Sequence, residues 1–191
     1  MRKILFALSS LIFFITLTFV INSNNAKAAI NNKPGDLIIT KDTAPGSSGK
    51  GFVGHVGIYI DSKKILNASG RSNEPYPSIL TEKQWHNRFK YSKVVRPKST
   101  ELGKKAAKMA KKYFLNKKIK YKISPNPKNI KYTYCSELVW YSYYKAGKPF
   151  QVLIVTPHNE QWANPSLIKP YDYLSSYYLS HNGFKIIDNK W

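Results

Sequence analysis

Tyr132-Thr133-Tyr134-Cys135-Ser136-Glu137-Leu138-Val139-Trp140 is the stretch from which the fold of this chain is read. It follows a segment rich in Pro and Asn, from Pro125 to Lys131, and opens a helical pattern that runs to Gly147, a common C-terminal stop. Leu138, Val139, Ser142 and Ala146 form an inner stripe, with Cys135 at its head. Cys135 is therefore expected on the first turn of a helix, where unpaired backbone N–H groups and the helix dipole favour an anion. A thiolate is such an anion, so the thiol pKa is expected to fall there. The same N–H groups can hold the oxyanion formed when sulfur attacks a carbonyl. Cys135 is the only cysteine. Exported proteins that use cysteine structurally use it in pairs, so a lone thiol is either a buried apolar residue or a reactive group.

A thiolate nucleophile needs a proton shuttle, and His55 is the best placed of the four histidines. It lies in Phe52-Val53-Gly54-His55-Val56-Gly57-Ile58-Tyr59-Ile60, an apolar strand pattern in which flanking glycines leave room for another element to approach. Lys64 to Ser69 reads as the next strand, with Asp61-Ser62-Lys63 as the turn. That turn pairs Ile60 with Lys64 and sets Asn67 opposite Gly57, diagonal to His55 on the same face. The separation is roughly 7–8 Å between backbones, within reach of a bridging amide that would orient the ring. A slip of one residue would put Asn67 on the other face. Each residue also has a purely structural reading: Cys135 as a buried helix residue, His55 as a core histidine bonded to a carbonyl, Asn67 as an ordinary hairpin residue.

Outward from these, Asp36 to Thr40 and Ser92 to Arg96 read as strands, and Gly70 to Tyr91 as an irregular segment. A helix follows, capped by Ser99 or Thr100, with Leu102, Ala106, Met109 and Tyr113 on its apolar stripe. Lys104, Lys105, Lys108, Lys111 and Lys112 lie largely off that stripe, as a solvated face or an anion site. Lys117 to Ile123 is expected as a strand, Tyr171 to Tyr178 as a Tyr-rich segment, and Phe184 to Ile187 as a last strand. Mixed helices and hairpin strands make the fold class α+β.

Met1-Arg2-Lys3, an apolar run from Ile4 to Ile21, and Ala26-Lys27-Ala28 have the three parts of a secretory signal peptide, with cleavage expected after Ala28. An uncleaved membrane anchor is the alternative. Residues 29–191 then form one domain. The first 28 residues hold Arg2, Lys3 and Lys27 and no acid, which leaves +18 of the chain's +21 on the remainder. Such an excess suits polyanionic surroundings, and for an exported protein these are anionic wall polymer or membrane surface rather than nucleic acid. The histidines lack metal-ligand spacing, so neither a metal nor another cofactor is expected. No serine stands in a G-x-S-x-G elbow. The loop Ala44 to Gly51 only superficially resembles a phosphate-binding loop, because Ala44 and Gly51 stand where Gly and Ser or Thr are needed.

Gly35-Asp36-Leu37-Ile38, Gly54-His55-Val56-Gly57-Ile58-Tyr59-Ile60, Ile65-Leu66-Asn67-Ala68 and Tyr134-Cys135-Ser136-Glu137-Leu138-Val139 together resemble the NlpC-type papain-like cysteine hydrolases. His before Cys resembles the circularly permuted branch, the YiiX- and YaeF-like proteins, related to lecithin:retinol acyltransferase. The resemblance spans about residues 35 to 157. It implies a small antiparallel sheet packed on the Cys-bearing helix, and a catalytic set in which Cys135, His55 and Asn67 match nucleophile, base and third polar residue. Relatives of this kind cleave wall peptides or act on acyl and amide bonds of lipids. The expected function is thus an exported thiol amidase or peptidase on cell-wall peptides. Acyl hydrolysis or transfer on lipids at anionic membranes is the second reading, and a non-catalytic wall-binding protein the third.

Overall fold

The computed structural model describes residues 31–41 and 54–190. The expected signal peptide, residues 1–28, and the loop from Ala44 to Gly51 lie outside them. The elements run β1 (Leu37–Thr40), β2 (His55–Tyr59), β3 (Lys64–Asn67), β4 (Ser78–Thr81), α1 (Glu82–Arg88), β5 (Ser92–Pro97) and α2 (Thr100–Phe114). They continue with β6 (Lys120–Tyr121), β7 (Tyr132–Thr133), α3 (Cys135–Lys145), β8 (Val152–Thr156), β9 (Asn159–Ala163), a 3-10 turn (Pro170–Leu174), α4 (Ser176–Asn182) and β10 (Phe184–Lys190). The fold is α+β: an antiparallel six-stranded sheet in the order β10-β5-β1-β2-β3-β4 packs on the Cys-bearing helix. Among the described residues no helix is long and apolar enough to cross a membrane.

Every residue of β1 and β2 is buried, which explains their near-continuous apolar sequence: helices cover both faces. Leu37, Ile39, Val56, Ile58 and Leu66 face α2 and α3, in a core with Ala106, Phe114, Leu138 and Trp140. Ile38, Tyr59 and Ile65 face the other way, toward Trp85 and Phe89 at α1. A fully buried side chain of this size contributes roughly 1.5–3 kcal/mol over its exposed state. The β2–β3 register, Ile58 with Leu66 and Tyr59 with Ile65, is the one expected from the three-residue turn. Asp61 holds that turn by accepting from the backbone N–H of Lys63 and Lys64, at 2.8 and 2.7 Å.

Four expectations are corrected. The segment from Gly70 to Tyr91 is not irregular throughout, since it holds β4 and α1. Thr81 and Gln84 form a reciprocal capping box, and burial of Trp85 draws the short helix onto the sheet. The buried stripe of α2 is Gly103, Ala106, Ala107, Ala110 and Phe114, rotated from the expected one. Small residues win there because the helix backbone comes close: a Cβ on Gly35 would collide with the Gly103 backbone. The expected strand from Lys117 to Ile123 shrinks to β6 in a two-residue parallel pair. Finally, α3 carries no single stripe, since each residue from Cys135 to Tyr143 is buried. The β8–β9 hairpin was not anticipated from the sequence.

Candidate active site

His55 opens β2, where its ring packs against both Trp85 and Phe89, with centroids 5.4 and 5.3 Å away, and those two rings touch each other at 4.7 Å. The glycine after it makes this possible. A Cβ on Gly57 would stand 3.2 Å from the Trp85 ring and 2.5 Å from Ile65. The room expected beside the glycines is filled at Gly57 by Trp85 of α1, an element the sequence pattern did not reveal, and at Gly54 by Thr40 and Tyr171.

Asn67 meets the ring from β3: its Oδ1 is 3.0 Å from His55 Nε2, and its Nδ2 donates to the Ser78 carbonyl at 3.0 Å. The second bond orients the amide, so Oδ1 is the atom that faces histidine. An amide oxygen only accepts, so Nε2 carries the hydrogen and Nδ1 holds the lone pair. Asn67 is fully buried and His55 is 3 % exposed. Burial is the main reason the His55 pKa drops from the usual 6.5 to about 4. The Asn67 bond and Glu74 work against that shift, while Arg88 adds to it. Glu74 and Arg88 are themselves paired at 2.5 and 2.8 Å. His55 is consequently neutral over the whole physiological range, in the state that accepts a proton.

Cys135 is the first residue of α3. Its N-cap, Tyr134, makes no side-chain cap bond, which leaves the first-turn N–H groups without that partner. The thiol is 5 % exposed, and burial pushes its pKa above the ordinary thiol value. The backbone N–H of Val56 and groups of Ser136 pull the other way and are outweighed. The expectation of a depressed thiol pKa is therefore overturned. Helix-start dipoles help a thiolate, but removal from water costs more here. We expect iodoacetamide to alkylate Cys135 slowly at pH 7, with a rate that climbs only through the alkaline range. A rate plateau already reached at neutral pH would contradict this.

The structure thus joins His55 to Asn67, and sets the Cys135 thiol against the N–H of Val56, the residue next to His55. Cys135 thus meets the backbone one residue from His55, at the start of β2. The imidazole packs against Trp85 of α1, and Cys135 shares a core cluster with Val56. The other histidines stand elsewhere: His86 pairs with Glu82 at 3.9 Å on α1, His181 stacks on Trp162, and His158 is exposed at the β8–β9 turn.

A recess with a cavity volume of about 60 Å3, open to solvent at its mouth, lies against Cys135. Tyr121, Ile123, Tyr134, Leu167 and Ile168 line it, together with Gly54, Ser136, Lys169 and Pro170. Sequence reasoning missed this wall. The Leu167-Ile168 pair in a polar tail was its one visible signal. It also missed Glu137, a fully buried carboxyl whose two oxygens have no hydrogen-bond partner. Burial raises its pKa from the usual 4.5 to about 8.

The fold matches that of a solved structure titled metalloprotein yiiX from Escherichia coli O157:H7, of papain-like type. The TM-score is 0.59 at 17 % identity, over 85 % of this chain and 99 % of that one. Among the described residues of this chain, no three His, Cys, Asp or Glu side chains gather to hold a metal ion. No curated protein matches the chain. A family model described as lipoprotein N-acylation protein LnsA-like matches residues 1–155, and the chain belongs to that family.

Proposed function

We propose that this protein is an exported thiol acyltransferase that takes an acyl group from a lipid ester onto Cys135 and passes it to an amine. The observation that carries this reading is the apolar recess on the nucleophile: Ile123, Leu167 and Ile168 suit a hydrocarbon chain. The family's description, lipoprotein N-acylation, supplies the acceptor class, a lipoprotein amine, and with it a place at the cell envelope. Cleavage of the N-terminal segment after Ala28 would release the domain outside the membrane. The order His55, Asn67, Cys135 fits a permuted papain-like site.

Because thiol and imidazole both rest uncharged, the proton moves during attack rather than before it. His55 Nδ1 takes the thiol proton as Sγ bonds to the ester carbonyl carbon. The N–H groups at the start of α3 receive the carbonyl oxygen as it becomes an oxyanion. The C–O bond breaks, the proton passes from His55 to the departing alcohol, and a thioester remains. The acceptor amine then gives a proton to His55 and attacks the thioester carbon. The C–S bond breaks, and the thiol recovers its proton. Water in place of the amine makes the same site a lipid hydrolase. A wall-peptide amide as donor gives the amidase expected from the sequence, through the same steps.

The test is intact-mass analysis of the protein after incubation with a diacyl phospholipid or with wall peptide fragments. We expect an acyl adduct from the lipid that hydroxylamine removes and that Cys135→Ala lacks. Cleavage of wall peptides with no lipid-derived adduct would replace acyl transfer by the amidase reading. No reaction with either would leave the wall-binding reading.

A further inference from the structure

Large apolar side chains left in water are few among the described residues, and they are unevenly placed. Ile123, 51 % exposed, and Leu167, 40 % exposed, both line the recess beside Cys135. Tyr171 is exposed as well, and its ring packs where a Cβ on Gly54, another lining residue, would stand 3.2 Å away. Two water-facing apolar groups therefore line one opening, and a third, Tyr171, packs beside its Gly54. The chain around them is strongly basic: residues 117 to 131 hold six lysines and no Asp or Glu. Lys122 and Lys169, next to Ile123 and Ile168, are exposed.

The other basic surface differs. On α2, Lys104, Lys105, Lys108, Lys111 and Lys112 are exposed, but no large apolar residue of that helix is. Val155 and Tyr177 are exposed on β8 and α4, away from lysine runs and close in sequence to Glu160 or to uncharged residues. Tyr91 is exposed with Lys41 and Lys90 over its ring, and Ile186 is exposed beside Lys185, but neither lines the recess. Among the described residues, exposed aliphatic groups and lysines meet at the Cys135 recess in Ile123 and Leu167 with Lys122 and Lys169. Basic side chains with exposed apolar ones among them suit the headgroup boundary of an anionic bilayer. A soluble anionic polymer would satisfy the lysines but would leave Ile123 and Leu167 in water.

We propose that the mouth of the Cys135 recess is the face that docks on an anionic membrane, with Ile123 and Leu167 entering the interface and Lys122 and Lys169 facing the lipid head groups. This rests on the acyl-transfer reading, and deepens it by fixing the route of the donor. A lipid chain passes from bilayer to recess without crossing water. The lysines of α2 are then a solvated face that raises the local attraction and does not define the orientation.

Hydrogen exchange of the full chain, with and without vesicles of ether-linked phospholipids, tests this. Such lipids carry no acyl ester, so docking is measured without turnover, and its failure would leave the acyl-adduct experiment untouched. Because exchange is read by segment, attachment through another part of the chain does not count as docking. With phosphatidylglycerol headgroups, amides in 123–124 and 166–171 are expected to slow at least several-fold. With phosphatidylcholine alone the slowing is lost. The double variant Ile123→Ser, Leu167→Ser should lose it too, while exchange in β1 and β2 stays as slow as before and shows an intact core. Slowing confined to residues 100–114, no slowing anywhere, or equal slowing by a soluble anionic wall polymer would each overturn the proposal.

Discussion

Replacing His55 by alanine is expected to lower turnover by roughly 10²–10⁴-fold, the usual worth of a positioned general base. The loss should fall on kcat, because His55 is not among the residues that line the recess receiving the acyl chain. Asn67→Ala should cost roughly tenfold or less. It removes one neutral hydrogen bond to Nε2, worth about 0.5–1.5 kcal/mol net, and leaves Nδ1 in place. The ring also keeps its contacts with Trp85 and Phe89. The measurement is the rate of acyl-adduct formation in the three proteins, each checked for folding. Equal inactivity of Asn67→Ala and His55→Ala would mean that the amide does more than orient. Full activity of His55→Ala would move the base elsewhere.

Glu137→Gln is expected to be more stable than the parent at pH 8.5 than at pH 4.5, with the gap widening by roughly 3–5 kcal/mol between those limits. The buried, unpaired carboxyl is protonated in the folded protein up to about pH 8, whereas the unfolded chain ionises near 4.5. The folded state therefore binds more protons through that window, and its stability falls as pH rises across it. Glutamine stays neutral and removes this dependence. Chemical denaturation of both proteins across pH 4.5–8.5 gives the difference, in which contributions from other titrating groups cancel. A constant gap would show that Glu137 titrates in the folded protein as it does in the unfolded chain. His55 acts in the opposite sense in both proteins. Its pKa of about 4 means that stability is present above pH 6.5 and is lost as pH falls toward 4.

Much of this architecture could be read from local pattern. The helix start at Cys135, the strand with His55 and the turn Asp61 to Lys63 depend on residues near in sequence, and their geometry follows from propensity and spacing. The register that puts Asn67 beside His55 is of the same kind, because a turn of set length fixes which residues pair. The helix α1 was missed because Pro75 and Pro77 mark its approach as a loop, and its capping box spans only four residues. The stripe of α2 was misplaced because leucine and methionine outweigh glycine and alanine in any apolar count. Yet a close crossing selects the small side chains.

By itself, then, the sequence determined the α+β class, the pairing of His55 with Asn67, and the seat of Cys135 at a helix start. All three arise within short stretches of chain. Only the tertiary structure decided the charge state of the site and the shape beside it. A thiol pKa raised by burial, an imidazole lowered to about 4 and a carboxyl at Glu137 raised to about 8 depend on how much water distant segments exclude. The recess likewise brings Ile123 to Leu167 and Ile168 across more than forty residues of chain. Desolvation and cavity shape are sums over neighbours in space, and no periodicity along the chain encodes them.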